Sequence, residues 1–181
     1  NPRDKTAVML KEPDRLVRSL MEHEYGKDDV GKLKPIKWED VGVKVYGAMW
    51  TSIVTEHAKW LGTLTADQIP SDKAWFIKKG AELAAMHNRP DATAPEHIDY
   101  ARHVLLCAIG AAMMRNGWTI DTSPGRPLTL VRGEERFEPH VALNKLCDGS
   151  MSSDEWNATC ASLALTNVAL GGSLKTESKI A

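Results

Sequence analysis

Cysteine is scarce in this chain of 181 residues, which carries only Cys107, Cys147 and Cys160. So small and odd a count excludes the disulfide framework of a small secreted domain, and it leaves a reducing, cytoplasmic setting as the expectation. A hydrophobic core must then hold the fold. Long apolar runs are missing as well: the longest, residues 104–114, falls far short of the ~20 residues of a bilayer-spanning helix. The first residues also lack the basic-then-apolar pattern of a secretory signal, so a soluble protein is expected. Neither sign of charge is in excess. Twenty-three Lys and Arg against 24 Asp and Glu give a formal net charge of −1, so no global field gathers a polyanion and nucleic acid is not expected as a bulk partner. Phenylalanine and tyrosine are rare (two and three), whereas tryptophan is not (six).

Catalytic signatures are also wanting. The His-Glu-x-x-His spacing that converges two imidazoles on one zinc does not occur. Nor do Gly-x-Ser-x-Gly, Gly-x-x-x-x-Gly-Lys or Gly-x-Gly-x-x-Gly, which removes the usual sequence support for acyl hydrolases, phosphate loops and dinucleotide folds. No internal repeat or low-complexity tract is present. The sequence implies no cofactor. Its start at Asn1, without an initiator methionine, points to processing or excision from a longer polypeptide.

What is present is helical punctuation. Thr93-Ala94-Pro95-Glu96 has the spacing of a capping box, and the helix it opens runs through an uncharged centre, residues 104–114. A segment with no wet face must be wrapped by neighbours, so this is the expected core helix, ended by Asn116-Gly117. Before it, Pro13, Leu16, Val17, Leu20, Met21 and Gly26 mark a short amphipathic helix, and residues 27–37 read as a connection. Tyr46, Met49, Trp50, Ile53, Val54, His57, Trp60 and Leu61 then recur at helical spacing up to Gly62. Thr65 to Gln68 has capping-box spacing, and Ser71 is the expected cap of a third helix bearing Phe76, Gly80, Leu83, Ala84 and His87. By complementary volume, Gly80 and Ala84 are expected opposite Gly110, Ala111 and Ala112.

Beyond Gly117 the pattern changes. Trp118-Thr119-Ile120, Leu128 to Val131 and Arg136-Phe137, separated by Ser123-Pro124-Gly125 and Arg132 to Glu135, predict a small antiparallel sheet within residues 118–138. So short a sheet must lie on the helices, with Trp118, Leu128, Leu130 and Phe137 as anchors. Pro139 and the box Ser152-Ser153-Asp154-Glu155 open two further helices, a C-terminal helical hairpin. The fold class expected is mainly α (α+β), a helical bundle around a central apolar helix. A single domain spans 1–170, divided into 1–37, 38–117 and 118–170, with 171–181 as a flexible tail.

Four sets of residues are candidates for function. His57 and His87 lie on the inner stripes of their helices, so that Glu56, His57, His87 and His103 can converge in the bundle as a metal site; the competing role is hydrogen bonding at helix edges and ends. Cys147 is the most plausible nucleophilic thiol, yet His140 lies two helical turns away, too far to activate it. Arg126, Arg132 and Arg136, with Arg115, concentrate guanidinium groups around the sheet as a phosphate grip, although Asp121, Glu134, Glu135 and Glu138 stand beside them. Trp38 and Trp75, each beside charged neighbours, suit the edge of a partner-binding surface as well as the edge of a core. The function expected is a non-catalytic protein-protein interaction module, part of a larger assembly with a protein partner. The alternatives are a metal-dependent or thiol hydrolase, and phosphate or nucleic-acid binding through the arginines.

Overall fold

A computed structural model describes residues 38–121 and 128–171, with side-chain surroundings from Val45 onward. The expected helix over 13–26, the connection 27–37, the turn Ser123-Pro124-Gly125, Arg126 and residues 172–181 lie outside the described residues. Helix α1, Trp38–Glu56, buries Val45, Met49, Trp50, Ile53 and Val54, a stripe at helical spacing. Its continuation to Gly62 is broken at His57. The His57 ring Nδ1 donates to the Ile53 carbonyl (2.9 Å), which also accepts the His57 backbone N–H (3.0 Å). The backbone at His57 leaves the helical region, with φ −109° and ψ 19°, and a short helix α2, Ala58–Leu61, follows. The single helix expected here is therefore two, jointed by a side chain that caps the first.

A 3-10 turn, Ala66–Gln68, follows, and the Gln68 side chain accepts the Thr65 N–H as the spacing predicts (3.1 Å). Helix α3, Lys73–Met86, is capped by Asp72, whose carboxylate accepts from the Ala74 N–H (3.0 Å). Asp72 takes the place expected of Ser71 because it stands in extended conformation immediately before the first turn. Helix α4, Ala94–Arg115, opens on the expected Thr93 and Glu96 box, with the Thr93 N–H donating to Glu96 (3.2 Å). Its end is a Schellman motif: Trp118 N–H to the Met113 carbonyl (3.1 Å) and Gly117 N–H to the Met114 carbonyl (3.2 Å), with Gly117 at φ +90°.

Residues 107–113 of α4 are buried without interruption, so this helix is surrounded as its uncharged sequence requires. Helices α1 and α3, and helix α5, Pro139–Asp148, pack on it. Close approach occurs at two glycines, but not as paired in the sequence. A Cβ on Gly80 would stand 1.7 Å from the His97 carbonyl oxygen, and one on Gly110 would stand 2.5 Å from the Trp50 ring. Gly80 thus seats the first half of α4, and Gly110 receives an indole from α1. The proposed meeting of Gly80 and Ala84 with residues 110–112 is corrected: small residues permit close packing but do not name their partner. Gly47 against Met114 and Trp50 against Gly110 show that α1 and α4 run antiparallel.

Strands β1 (Thr119–Ile120), β2 (Leu130–Arg132) and β3 (Glu135–Phe137) form an antiparallel sheet in that order, with Ile120 opposite Leu130 and Leu130 opposite Phe137. Trp118 and Leu130 are buried, and Leu128 and Phe137 pack partly buried against the core. The mainly α architecture with a small antiparallel sheet is as expected. Helix α6, Ser153–Ser162, opens on the Ser152 and Glu155 box, with reciprocal bonds of 3.1 Å. It is tied by the buried Trp156 Nε1, which donates to the Ala66 carbonyl (2.8 Å). The chain then returns to its own first half. Ala66 N–H donates to Val168 (3.1 Å), Leu170 N–H to Leu64 (2.8 Å), and Asn167 N–H to the Asp67 carboxylate (3.2 Å).

Candidate functional site

Two histidines separated by thirty positions meet where α1 and α3 end: His57 Nε2 and His87 Nε2 are 3.1 Å apart. Because the His57 Nδ1 faces a carbonyl, which only accepts, that nitrogen carries the proton and the His57 Nε2 presents a lone pair. His87 must then donate from its Nε2. The ring centroids are 5.4 Å apart, the nitrogen gap plus one ring radius on either side, so the two nitrogens face each other head-on. That is the geometry of an N–H···N hydrogen bond. His103 of α4 is close enough for His57 to act on it electrostatically. Burial first, and His57 second, lower its pKa to about 4. Of Glu56, His57, His87 and His103, expected to converge, His57 and His87 are in contact and His57 acts on His103, and the 57–87 pair is a helix-end hydrogen bond. Among the described residues no group of three or more His, Cys, Asp or Glu is arranged to hold a metal ion.

A second concentration of polar groups lies between α4 and α5. Arg102 of α4 bonds both Asp99, one turn earlier, and Asn144 of α5, and this bridge separates two recesses. The smaller, about 360 Å³, is lined by His103, His140, Leu106 and Leu143 together with the bridge itself. His103 Nε2 and His140 Nδ1 are both buried without a hydrogen-bond partner. The larger, about 760 Å³, is a groove lined by Ile77, Pro95, Ile98 and Cys147 together with Lys73, Asp148 and the bridge residues Asp99, Arg102 and Asn144. The shared face of Asp99 and His103 follows from their i, i+4 spacing. The groove does not, because it is made by the ends of three helices whose packing no local pattern encodes.

The remaining candidates are placed as follows. Arg132 bonds Glu135 (3.2 Å) and lies over the Trp118 ring, 4.8 Å from its centroid. Arg136 bonds Asp121 (2.7 Å). Both guanidinium groups are thus engaged by neighbouring acids. Trp75 is half-buried, edge-on to Phe76, and packed against the core. Trp38 begins α1, and its side chain lies outside the described surroundings. All three cysteines are free thiols. Burial pushes Cys107 and Cys160 up to about 12 and raises Cys147 as well, which disfavours a thiolate at any of them. Sequence reasoning missed Arg89, which is 8% exposed and donates to Asp91 (3.2 Å), Tyr100 (3.1 Å) and Glu96 (3.1 Å), fastening the turn after α3 to the start of α4. No family model, curated protein or solved structure matches this chain.

Proposed function

We propose that this chain is a non-catalytic protein-interaction module and that the groove between α3, α4 and α5 receives an amphipathic segment of a protein partner. The observation that carries this reading is the groove's make-up: apolar Ile77, Pro95 and Ile98 beside charged Lys73, Arg102, Asp99 and Asp148 of both signs. Apolar and charged side chains together are what an amphipathic segment matches, and about 760 Å³ is within the range of sites that enclose a ligand or an anchoring side chain. Trp75 stands on α3 between Lys73 and Ile77 in sequence, is not among the residues that line the groove, and meets Phe76 edge-on. Selection from a displayed random-peptide library tests the reading. Wild-type protein is expected to enrich peptides with an apolar anchor flanked by charge, and Ile98→Glu to weaken the selected peptides at least about tenfold while Trp75→Ala weakens them less. Equal binding by wild type and Ile98→Glu removes the groove as the surface.

One other reading is a metal-dependent hydrolase using Glu56, His57, His87 and His103, of which His57 and His87 stand 3.1 Å apart. Metal analysis of purified, dialysed protein separates the two, since a stoichiometric transition metal belongs only to the hydrolase.

A further inference from the structure

The groove between α3, α4 and α5 carries charges of both signs, and all but one of them are already answered within the protein. Asp99 and Arg102 of α4 form an ion pair, so their charges answer each other. Asp148, at the end of α5, accepts from both the backbone N–H and the hydroxyl of Ser150, and Lys145, one turn earlier, acts on its charge. Lys73 differs. It is exposed in the first turn of α3, and among the described residues its ammonium group has no hydrogen bond or ion pair. Its neighbour Asp72 is committed to the Ala74 N–H as the cap of α3 and does not line the groove. Lys73 and Ile77 are four positions apart on one face of α3, and both line the groove. The Cys147 thiol of α5 also feels the Lys73 charge, which therefore acts into the groove as well as outward into solvent.

We infer that the partner segment received by this groove is acidic: it sets an Asp or Glu against Lys73 and, within about one helical turn of that acid, an apolar side chain against Ile77 and Ile98. This rests on the groove reading and adds to it the charge that the partner carries. An unanswered cation beside apolar side chains attracts a carboxylate and repels a base, so Lys73 selects by rejecting basic amphipathic segments as well as by holding acidic ones.

The peptides that wild-type protein selects from a displayed random library are the probe, and their affinities for wild type and variants are the test. Asp or Glu is expected beside the apolar anchor. Affinity is expected to fall about threefold in Lys73→Gln and at least about tenfold in Lys73→Glu, where attraction becomes repulsion. A repeat selection on Lys73→Glu is expected to enrich Lys or Arg at that place instead. Lys78→Glu, an equal charge reversal on α3 outside the groove, is expected to change affinity by less than about twofold. Position 73 is exposed and a glutamate suits the first turn of a helix, so Lys73→Glu is expected to keep the fold, which thermal melts verify. Peptides that Ile98→Glu weakens but Lys73→Glu does not, or enriched peptides without an acid, overturn the inference and leave the groove reading standing. Peptides that neither substitution weakens, or no enrichment at all, overturn both.

Discussion

Gly80 has no room for a side chain. Its would-be Cβ falls 1.7, 2.3 and 2.7 Å from three backbone atoms of His97, and backbone does not rotate aside as a side-chain tip does. Gly80→Ala is therefore expected to destabilise the protein by about 3 kcal/mol, measured by urea denaturation, because α3 and α4 must move apart along their shared face. His103 gives a second expectation at this scale. Its folded pKa is depressed from 6.5 to about 4, so between those values the unfolded chain holds a proton that the folded protein refuses. The stability it contributes is complete above pH 6.5 and falls as pH drops through that window, by on the order of 3 kcal/mol. Urea midpoints measured from pH 7 to pH 4 are expected to fall less steeply in His103→Leu than in wild type.

Among the elements, those bounded by local chemistry were legible and those defined by packing were not. The Thr93 and Ser152 boxes are visible because a cap and its glutamate lie three positions apart, within one turn of chain. The core helix announces itself by the absence of charge. Ser152→Ala is expected to cost about 1 kcal/mol by removing the acceptor of the Glu155 N–H, again read from urea midpoints. The split at His57 was hidden, since its apolar spacing continues through Trp60 and Leu61; only the ring's bond to Ile53 reveals the joint. Likewise the inner stripes indicated that His57 and His87 converge, but tautomer and head-on alignment depend on how two helix ends are set against each other. The hairpin arginines could be read as a phosphate grip or as paired charges, and the bonds to Glu135 and Asp121 show the pairing. The α3–α4–α5 groove belongs to tertiary packing alone.

At the scale of the molecule, one buried cluster runs from Met49 to Leu170 and includes residues of the bundle, the sheet and the last helix. Trp156 connects its distant parts, being fully buried and bonded to the Ala66 carbonyl ninety positions away. Trp156→Phe is expected to cost about 2 kcal/mol, because a buried acceptor loses its donor as volume is lost. The same measurement on Ser162→Ala, at an exposed position, serves as the baseline. Among the described residues no helix is long and apolar enough to cross a membrane.

The return of residues 165–170 to the segment around Leu64 and Ala66 has a consequence during synthesis. A ribosome delivers α1 through α4 well before it delivers the turn-rich stretch that bonds to the 64–68 segment. Until residue 170 clears the exit tunnel, Ala66 lacks the partners that Val168 and Trp156 give it. Emergence of residues 165–170, not of the bundle helices, is therefore what completes the 64–68 turn.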